Sequence, residues 1–464
     1  MLKKACYCSV LAAAAFVLAT QSAGARTLHV GTCKTAQTTY GTIQSAIDAA
    51  VDGDAVTVCP GTYPEQVSIT KSVSLKGVVG MDAPQVVVPA GGLVQNATMA
   101  AGTAAAAQIL VAPAVSGSAN VTGLVVDAGD NNNTDCNLTM IGIYYKGAGG
   151  RIRKNTVQNQ IGPVGHQGCL GGNGFGIVVE NQTIGTDSVT IENNSVKNFD
   201  RNGIVLRSPG AVGTVARNTV TGLGETDVIA QNGIELVDGA SANIAFNVLS
   251  GFNYTPGTFG STAIILYNVS SALYQSPPTV QKNTINDANY GIAVDGANGA
   301  AGNLLQVVSN TISNTGFAGI VIFSEPGFSP PVNGDYVNVA NNKITTTTIY
   351  DGIDVCGDNN SITRNTVANS SVESAIHLDA LCEQANGDPS GADNTVSGNR
   401  ITNACIGILS GRPQGDNTIG ANKFVDVTNQ TMFGSDDYAC STAHAAPQHR
   451  KAKGKTTPRP LLSP

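Results

Sequence analysis

The sequence predicts an all-β solenoid: a single-stranded parallel β-helix of three-sheet coils, closed at its N-terminal end by a short capping helix. Three observations carry that prediction. The first is a recurring phrase. In Val307–Phe323 an Asn (Asn310) precedes Thr311-Ile312, a polar turn runs through Ser313–Gly319, and the strand Ile320-Val321-Ile322-Phe323 follows. The same phrase returns along most of the chain, and self-similarity of this kind marks a repeat array. The second is composition. Gly makes up 54 of 464 residues and charged residues only 12%. With abundant Asn, Thr, Val and Ile, this favours short strands and tight turns over long helices. The third is an amphipathic stretch at the start, Ile43–Ala50, where a solenoid needs its open end covered.

Met1–Ala25 reads as an export signal. Lys3 and Lys4 form a charged start, Val10–Leu18 is apolar, and Ala23-Gly24-Ala25 is a small-residue cleavage site before Arg26. The apolar run is too short for the ~20 residues that span a bilayer. A mature chain outside the cytoplasm, without a membrane span, is therefore expected.

Residues 26–77 read as an N-terminal cap with the first rungs. Leu28-His29-Val30 is a strand, and Thr42 N-caps the helix, whose Ile43, Ala46, Ile47 and Ala50 share one face. Ala55–Cys59, Val67–Thr70 and Val73–Leu75 follow as strands, with a turn at Gly61-Thr62-Tyr63. The run TIQSAIDAAVDGDAVTVCPGTYPEQVSITKSVSLKG resembles the opening of right-handed parallel β-helix proteins of the pectin lyase-like superfamily. Pectin methylesterases begin similarly, with a G-x-Y-x-E run matched by Gly61, Tyr63 and Glu65. The resemblance implies a right-handed coil and a polysaccharide or cell-surface glycan as the partner.

Residues 78–442 are expected to form the β-helix itself. Gln85–Val88 and Gln108–Ala112 read as strands, Ala97–Ala107 as a loose loop, and Val121–Asp127 resumes the rungs. The repeats are punctuated by Asn155, Asn194, Asn218, Asn247, Asn283, Asn310, Asn342, Asn365, Asn399 and Asn422. The shortest gaps, 23 residues, fit one three-stranded turn, and longer ones fit the same turn with loop insertions. These Asn residues are assigned to structure, as αL turn residues and stacked amides. A second strand usually opens with Gly-Ile, as at Gly203-Ile204 and Gly352-Ile353. Residues 443–464 are basic and Pro-containing, and are expected to form a disordered tail.

Removing the two leader lysines and five tail basic residues from a total of 25 leaves 18 against 32 acids, net −14 for residues 26–442. Such a body is a poor partner for nucleic acid. It also disfavours polyanions unless a basic patch or a cation such as Ca2+ compensates. Cys6 and Cys8 leave with the leader. The even number that remains in an exported chain points to disulfides. Sequence does not fix the connectivity, but the repeats put Cys33 and Cys59 together on the cap, Cys136 and Cys169 before the Gly-Ile strands of successive rungs and Cys356 and Cys382 after such strands, and leave Cys405 and Cys440 for the C-terminal end.

Alternation places one side of the Gly-Ile strands outward. The first outward column is Tyr144, Val178, Val205, Glu235, Ile265, Ala293, Val321, Asp354, His377 and Gly407. The second contains Lys146, Glu180, Arg207, Tyr267, Asp295, Phe323, Cys356 and Asp379. Asp354, His377 and Asp379 would meet on neighbouring rungs and are the catalytic candidates, since carboxylates beside an imidazole can do acid–base work or hold a cation. Tyr144, Lys146, Glu180, Arg207 and Tyr267 are the binding candidates. Lys146, Glu180 and Arg207 would also make a cross-strand charge ladder.

Known catalytic runs of the superfamily are not reproduced. Polygalacturonase-type hydrolases use N-T-D, D-D, G-H-G and R-I-K in that order. Here Asn133-Thr134-Asp135 matches the first, Asp436-Asp437 is the only acid pair of that type, and Gly165-His166-Gln167-Gly168 carries an insertion. Arg151-Ile152-Arg153 precedes that insertion. The Q-D-T and D-F-I-F-G runs of pectin methylesterases are absent, Ser410-Gly411-Arg412-Pro413 only echoes their G-R-P-W, and the epimerase D-P-H-H is missing. Trp, a common sugar platform, is absent. The reading is an exported, monomeric β-helix that engages polysaccharide. The alternatives are a lyase, hydrolase or epimerase of uronic-acid polymers, and an adhesin-like rod.

Overall fold

The computed structural model describes residues 24–436, apart from 34–37, 79, 81, 114–116, 164, 168–173, 186–187, 256–259, 330, 371–373, 383, 385–386 and 388. The proposed leader through Ala23, the basic tail, Cys169 and Cys440 lie outside the described residues.

The chain winds as a parallel β-solenoid with three faces. The first face is a 15-stranded sheet; the second and third merge into one 23-stranded sheet. They merge because long strands such as Thr284–Ala297, Thr311–Phe323 and Arg400–Ser410 turn the corner without a break. Strands pair with the next coil in parallel. Among the named strands the exception is Ala97–Thr98, antiparallel to Ala104–Val111. The loose loop expected over Ala97–Ala107 is therefore a hairpin. Its alanines carry little strand propensity, so only the pairing reveals it. Thr62–Pro64, read as part of a turn, is also a short strand.

Alternation fills the interior. On the first face Val121, Ile152, Ile191, Val215, Ile244, Val280, Val307, Val339, Ile362 and Val396 stack in register and are fully buried. Each such side chain contributes ~1.5–3 kcal/mol. At the N-terminal end the helix Ile43–Ala49 lays Ile43, Ala46 and Ile47 over the first coil. Thr42 caps it by accepting from the Ser45 amide, and Glu65 accepts from the Ile43 and Gln44 amides.

The ten Asn residues form one continuous ladder inside a corner. Each Nδ2 donates to the next Oδ1 at 3.0–3.1 Å, from Asn155 through to Asn422. Each also donates to a main-chain carbonyl, as Asn283 does to Ile244 at 3.0 Å. The left-handed conformation belongs to the preceding residue, for example Lys154, Arg217 and Ser309, with φ of 53, 55 and 59. The αL role expected of the Asn itself thus moves one place back, and the Asn turns inward.

The recurrent Gly before Ile marks a close approach at the next corner. A Cβ on Gly203 would lie 2.6 Å from Val220 Cγ1 and 2.7 Å from the Gly233 carbonyl.

Candidate functional site

The third face carries the outward columns. The register runs Tyr144, Val178, Val205, Glu235, Ile265, Ala293, Val321, Asp354, His377 and then Leu409. Leu409 replaces the expected Gly407. Ile408 pairs with Ile376, so the outward residue is the one that follows it. In the second column Val237 stands between Arg207 and Tyr267.

Asp354 and His377 are directly opposed on adjacent strands, Ile353–Val355 and Ser374–Leu378. His377 is fully buried. Its Nδ1 lies 3.3 Å from Asp351 Oδ2 and 3.6 Å from Asp354 Oδ1, and its Nε2 lies 3.0 Å from Asp436 Oδ1. Asp379 completes the group, with a carboxylate oxygen within 4.8 Å of His377 and Asp436 ligand atoms. Burial alone would lower the His377 pKa. The Asp351 charge and hydrogen bond, the Asp436 bond and the Asp354 charge outweigh it and raise the pKa well above 6.5. The ring is held as an imidazolium between carboxylates, with both N–H groups committed. Asp354 is the member open to solvent, with 17% of its side chain exposed.

Neighbours fix these groups. Ser374 donates to Asp351 Oδ1 through its amide (2.9 Å) and hydroxyl (2.6 Å). The Ala380 amide donates to Asp436 and the Leu381 amide to Asp379. Gly411 leaves room for the Asp436 carboxylate, since a Cβ there would meet Oδ1 at 2.1 Å. The Cys356–Cys382 disulfide, with Cα atoms 5.5 Å apart, pins the turn beyond Asp379.

Asp351 and Asp436 were not singled out as site residues by sequence reasoning. Asp351 stands just before the Gly352-Ile353 landmark, which was the available signal. Asp436 arrives from beyond the last strand, and no repeat predicts its position.

An aromatic patch adjoins the acids on the same outer side. Tyr267 meets Phe328 edge-on at 5.0 Å, Tyr290 lies 5.2 Å from Phe317, and Phe317 lies 5.6 Å from Tyr350. Tyr267, Phe323, Phe328 and Tyr350 are half-buried, whereas Tyr290 is buried. The Tyr290 phenol is pushed up by burial first, then by Tyr350, Asp354 and Asp295. It therefore joins the patch to the carboxylates.

The binding candidates at the other end are differently placed. Tyr144 is fully buried and donates to Glu180 Oε2 at 2.5 Å. Glu180 also accepts from the Ala100 amide at 3.0 Å, and Lys146 Nζ donates to the Thr98 carbonyl at 2.5 Å. The hairpin over residues 97–111 thus covers these side chains. The charges pair with that hairpin rather than with one another, so the expected charge ladder does not form. Arg207 and Tyr267 remain half-exposed. Eight rungs separate Tyr144 from His377, about 38 Å at ~4.8 Å per rung. Tyr144, Lys146, Glu180 and Arg207 are therefore a separate place from the catalytic candidates, whereas Tyr267 lies in the patch beside them. Between them Glu235 is fully buried near Arg207 and Arg201 and accepts from Asn202. Burial raises its pKa to about 7.

Cys33 bonds to Cys59 and Cys356 to Cys382, as the repeats suggested. Cys136 and Cys405 are also disulfide-bonded. These bonds are those of a protein held in an oxidising compartment. Among the described residues no helix is long and apolar enough to cross a membrane.

Residues 141–329 match the family model described as right handed beta helix region. The chain has the right-handed parallel β-helix fold. A second family model, periplasmic copper-binding protein (NosD), matches this β-helix over residues 262–442. No curated protein matches it in sequence. Among solved structures, the Dettilon tailspike protein (gp208) is 16% identical, covers 86% of the β-helix chain and 68% of its own, and has a TM-score of 0.50. The A-module of Azotobacter vinelandii mannuronan C-5 epimerase AlgE4 is 13% identical over 85% and 94%, with a TM-score of 0.43. The lacto-N-biosidase of Eubacterium ramulus is 10% identical over 87% and 68%, with a TM-score of 0.49. At these identities the likeness is one of fold.

Proposed function

We propose that this exported β-helix binds a polysaccharide along the outer side of its third face. One observation carries the reading: a half-exposed aromatic patch, Tyr267, Phe323, Phe328 and Tyr350, is continuous with a carboxylate cluster whose solvent-facing member is Asp354. Aromatic faces supply contact area to sugar rings, and carboxylates accept from sugar hydroxyls. Four carboxylates against one imidazolium leave the cluster net negative. A neutral glycan suits it, and a uronic-acid polymer needs a bridging cation. In a lyase, hydrolase or epimerase, Asp354 would be the group that meets substrate, with His377 enclosed behind it as a positioning residue.

The test is retardation in gels loaded with neutral and uronate polysaccharides, with and without calcium. Wild type should be slowed by at least one neutral polymer, and Tyr350→Ala and Asp354→Asn should migrate freely. Free migration of wild type in every gel would refute binding. Release of shorter products would move the reading from binding to catalysis.

A second reading is favoured by the mutual reach of Asp351, Asp354 and His377, within 4.8 Å: a divalent ion held there. One imidazole with carboxylates suits copper or zinc better than calcium. The group fits such an ion only after His377 gives up its proton. Cys356 and Cys382, oxidised to a disulfide, supply no thiolate. Titration with copper should then release a proton per ion bound and weaken steeply as pH falls. Binding without proton release would place the ion elsewhere.

A further inference from the structure

The two ends of the solenoid differ. The N-terminal coil is sealed by the helix Ile43–Ala49. At the other end the last strand, Lys423–Phe433, has Arg400–Ser410 as its one strand partner among the described residues. Ile401, Ile406, Ile408 and Leu409 on the inner strand are at most 1% exposed. One rung later Phe424, Val425, Val427, Met432 and Phe433 are all partly exposed. Among the described residues the outer edge of that strand has no strand partner, and its main-chain donors and acceptors lie beside apolar side chains. Proteins usually blunt such an edge with charge, proline or a cover. The stretch Val427–Phe433 has neither charge nor proline.

A covering partner must supply an extended, uncharged strand. Residues 443–464 are ill suited, with Pro447, Pro458, Pro460 and Pro464 and five Lys or Arg residues; proline cannot donate to a ladder. Head-to-tail stacking of copies is blocked by the N-terminal helix. A two-fold arrangement, tail to tail, remains. With the axis at Gln430, Val427 faces Phe433, Thr428 faces Met432, Asn429 faces Thr431, and Gln430 faces itself. Apolar residues meet apolar ones at the ends, the amides and Thr431 can exchange hydrogen bonds, and no like charges oppose. An isologous contact requires this self-complementarity.

We propose that the C-terminal coil is a self-association surface, on which Val427–Phe433 pairs antiparallel with the same strand of a second copy. The test is light scattering of the full exported chain over a wide concentration range, beside Gln430→Lys and Gln430→Thr. Wild type and Gln430→Thr should reach the dimer mass. Gln430→Lys, which sets two ammonium groups face to face, should stay monomeric with unchanged circular dichroism. A wild type that is monomeric throughout, or a Gln430→Lys variant that still dimerises, overturns the proposal. So does hydrogen exchange showing the 427–433 amides protected in a monomer and freed when residues 437–464 are removed, because the chain would then cover its own edge.

Discussion

His377 Nε2 lies 3.0 Å from Asp436 Oδ1 across 59 residues of sequence. That contact ties the last described residue of the chain to a strand two rungs earlier. It makes the acid cluster a clasp on the C-terminal coils as well as a chemical site.

The clasp should be pH-dependent. The folded-state pKa of His377 is raised above 6.5, so its stabilisation is fully present below pH 6.5 and lost as pH rises through the raised value. His377→Gln should lower thermal stability by about 3 kcal/mol at pH 6, as for a buried ionic group stripped of its partner. The deficit should shrink in alkaline buffer. A constant deficit between pH 6 and 10 would mean the ring acts by packing alone.

Glu235 has the opposite effect on a neutral-pH protein. Burial raises its pKa from 4.5 to about 7, so the folded state takes up a proton that the unfolded chain releases. Stability is greatest below about pH 4.5 and falls as pH rises through 7. At about 1.4 kcal/mol per unit the loss is on the order of 3 kcal/mol, with Arg207 and Arg201 offsetting part of the burial. Glu235→Gln should therefore melt higher than wild type at pH 8 and alike at pH 4.5, by calorimetry.

The amide ladder makes a graded prediction. Asn283→Ala leaves the Asn247 main-chain amide and Nδ2 without their buried acceptor and the Ile244 carbonyl without its side-chain donor, costing about 1–3 kcal/mol. Asn422→Ala, at the half-exposed end, should cost less. Chemical denaturation of the two variants measures the difference, and equal costs would refute the gradient.

Removing the Cys356–Cys382 bond, which closes a 26-residue separation, should cost about 3 kcal/mol. Replacing both cysteines by serine should also loosen Asp379, seen as faster amide exchange at Leu381. Protection unchanged at Leu381 would show that the turn holds itself.

The solenoid was legible because two periodicities coincide: alternation within each strand and the Asn spacing between coils. Together they put Asp354 beside His377 and predicted two cysteine pairs. The rest needed coordinates. Asp351 and Asp436 approach through a loop and a chain end, where no period operates. The hairpin pairs Ala97–Thr98 with Ala104 and Ala105, a stretch without strand signature that precedes the legible strand from Gln108, so the burial of Tyr144 and Glu180 beneath it was invisible. Leu409 was displaced in the reading by following Gly407 rather than the residue after Ile408.

The Asn ladder has one more consequence. Hydrogen bonds of the main chain between coils run both up and down the axis and largely cancel. The side-chain amides do not: from Asn155 to Asn399 each sends one Nδ2–H to the Oδ1 of the next coil, so every one of those carbonyls, from Asn194 to Asn422, faces the N-terminal end. Their dipoles add, much as peptide dipoles add along a helix, and each polarises the next. The ladder itself is electrically polar, with its positive pole at Asn422.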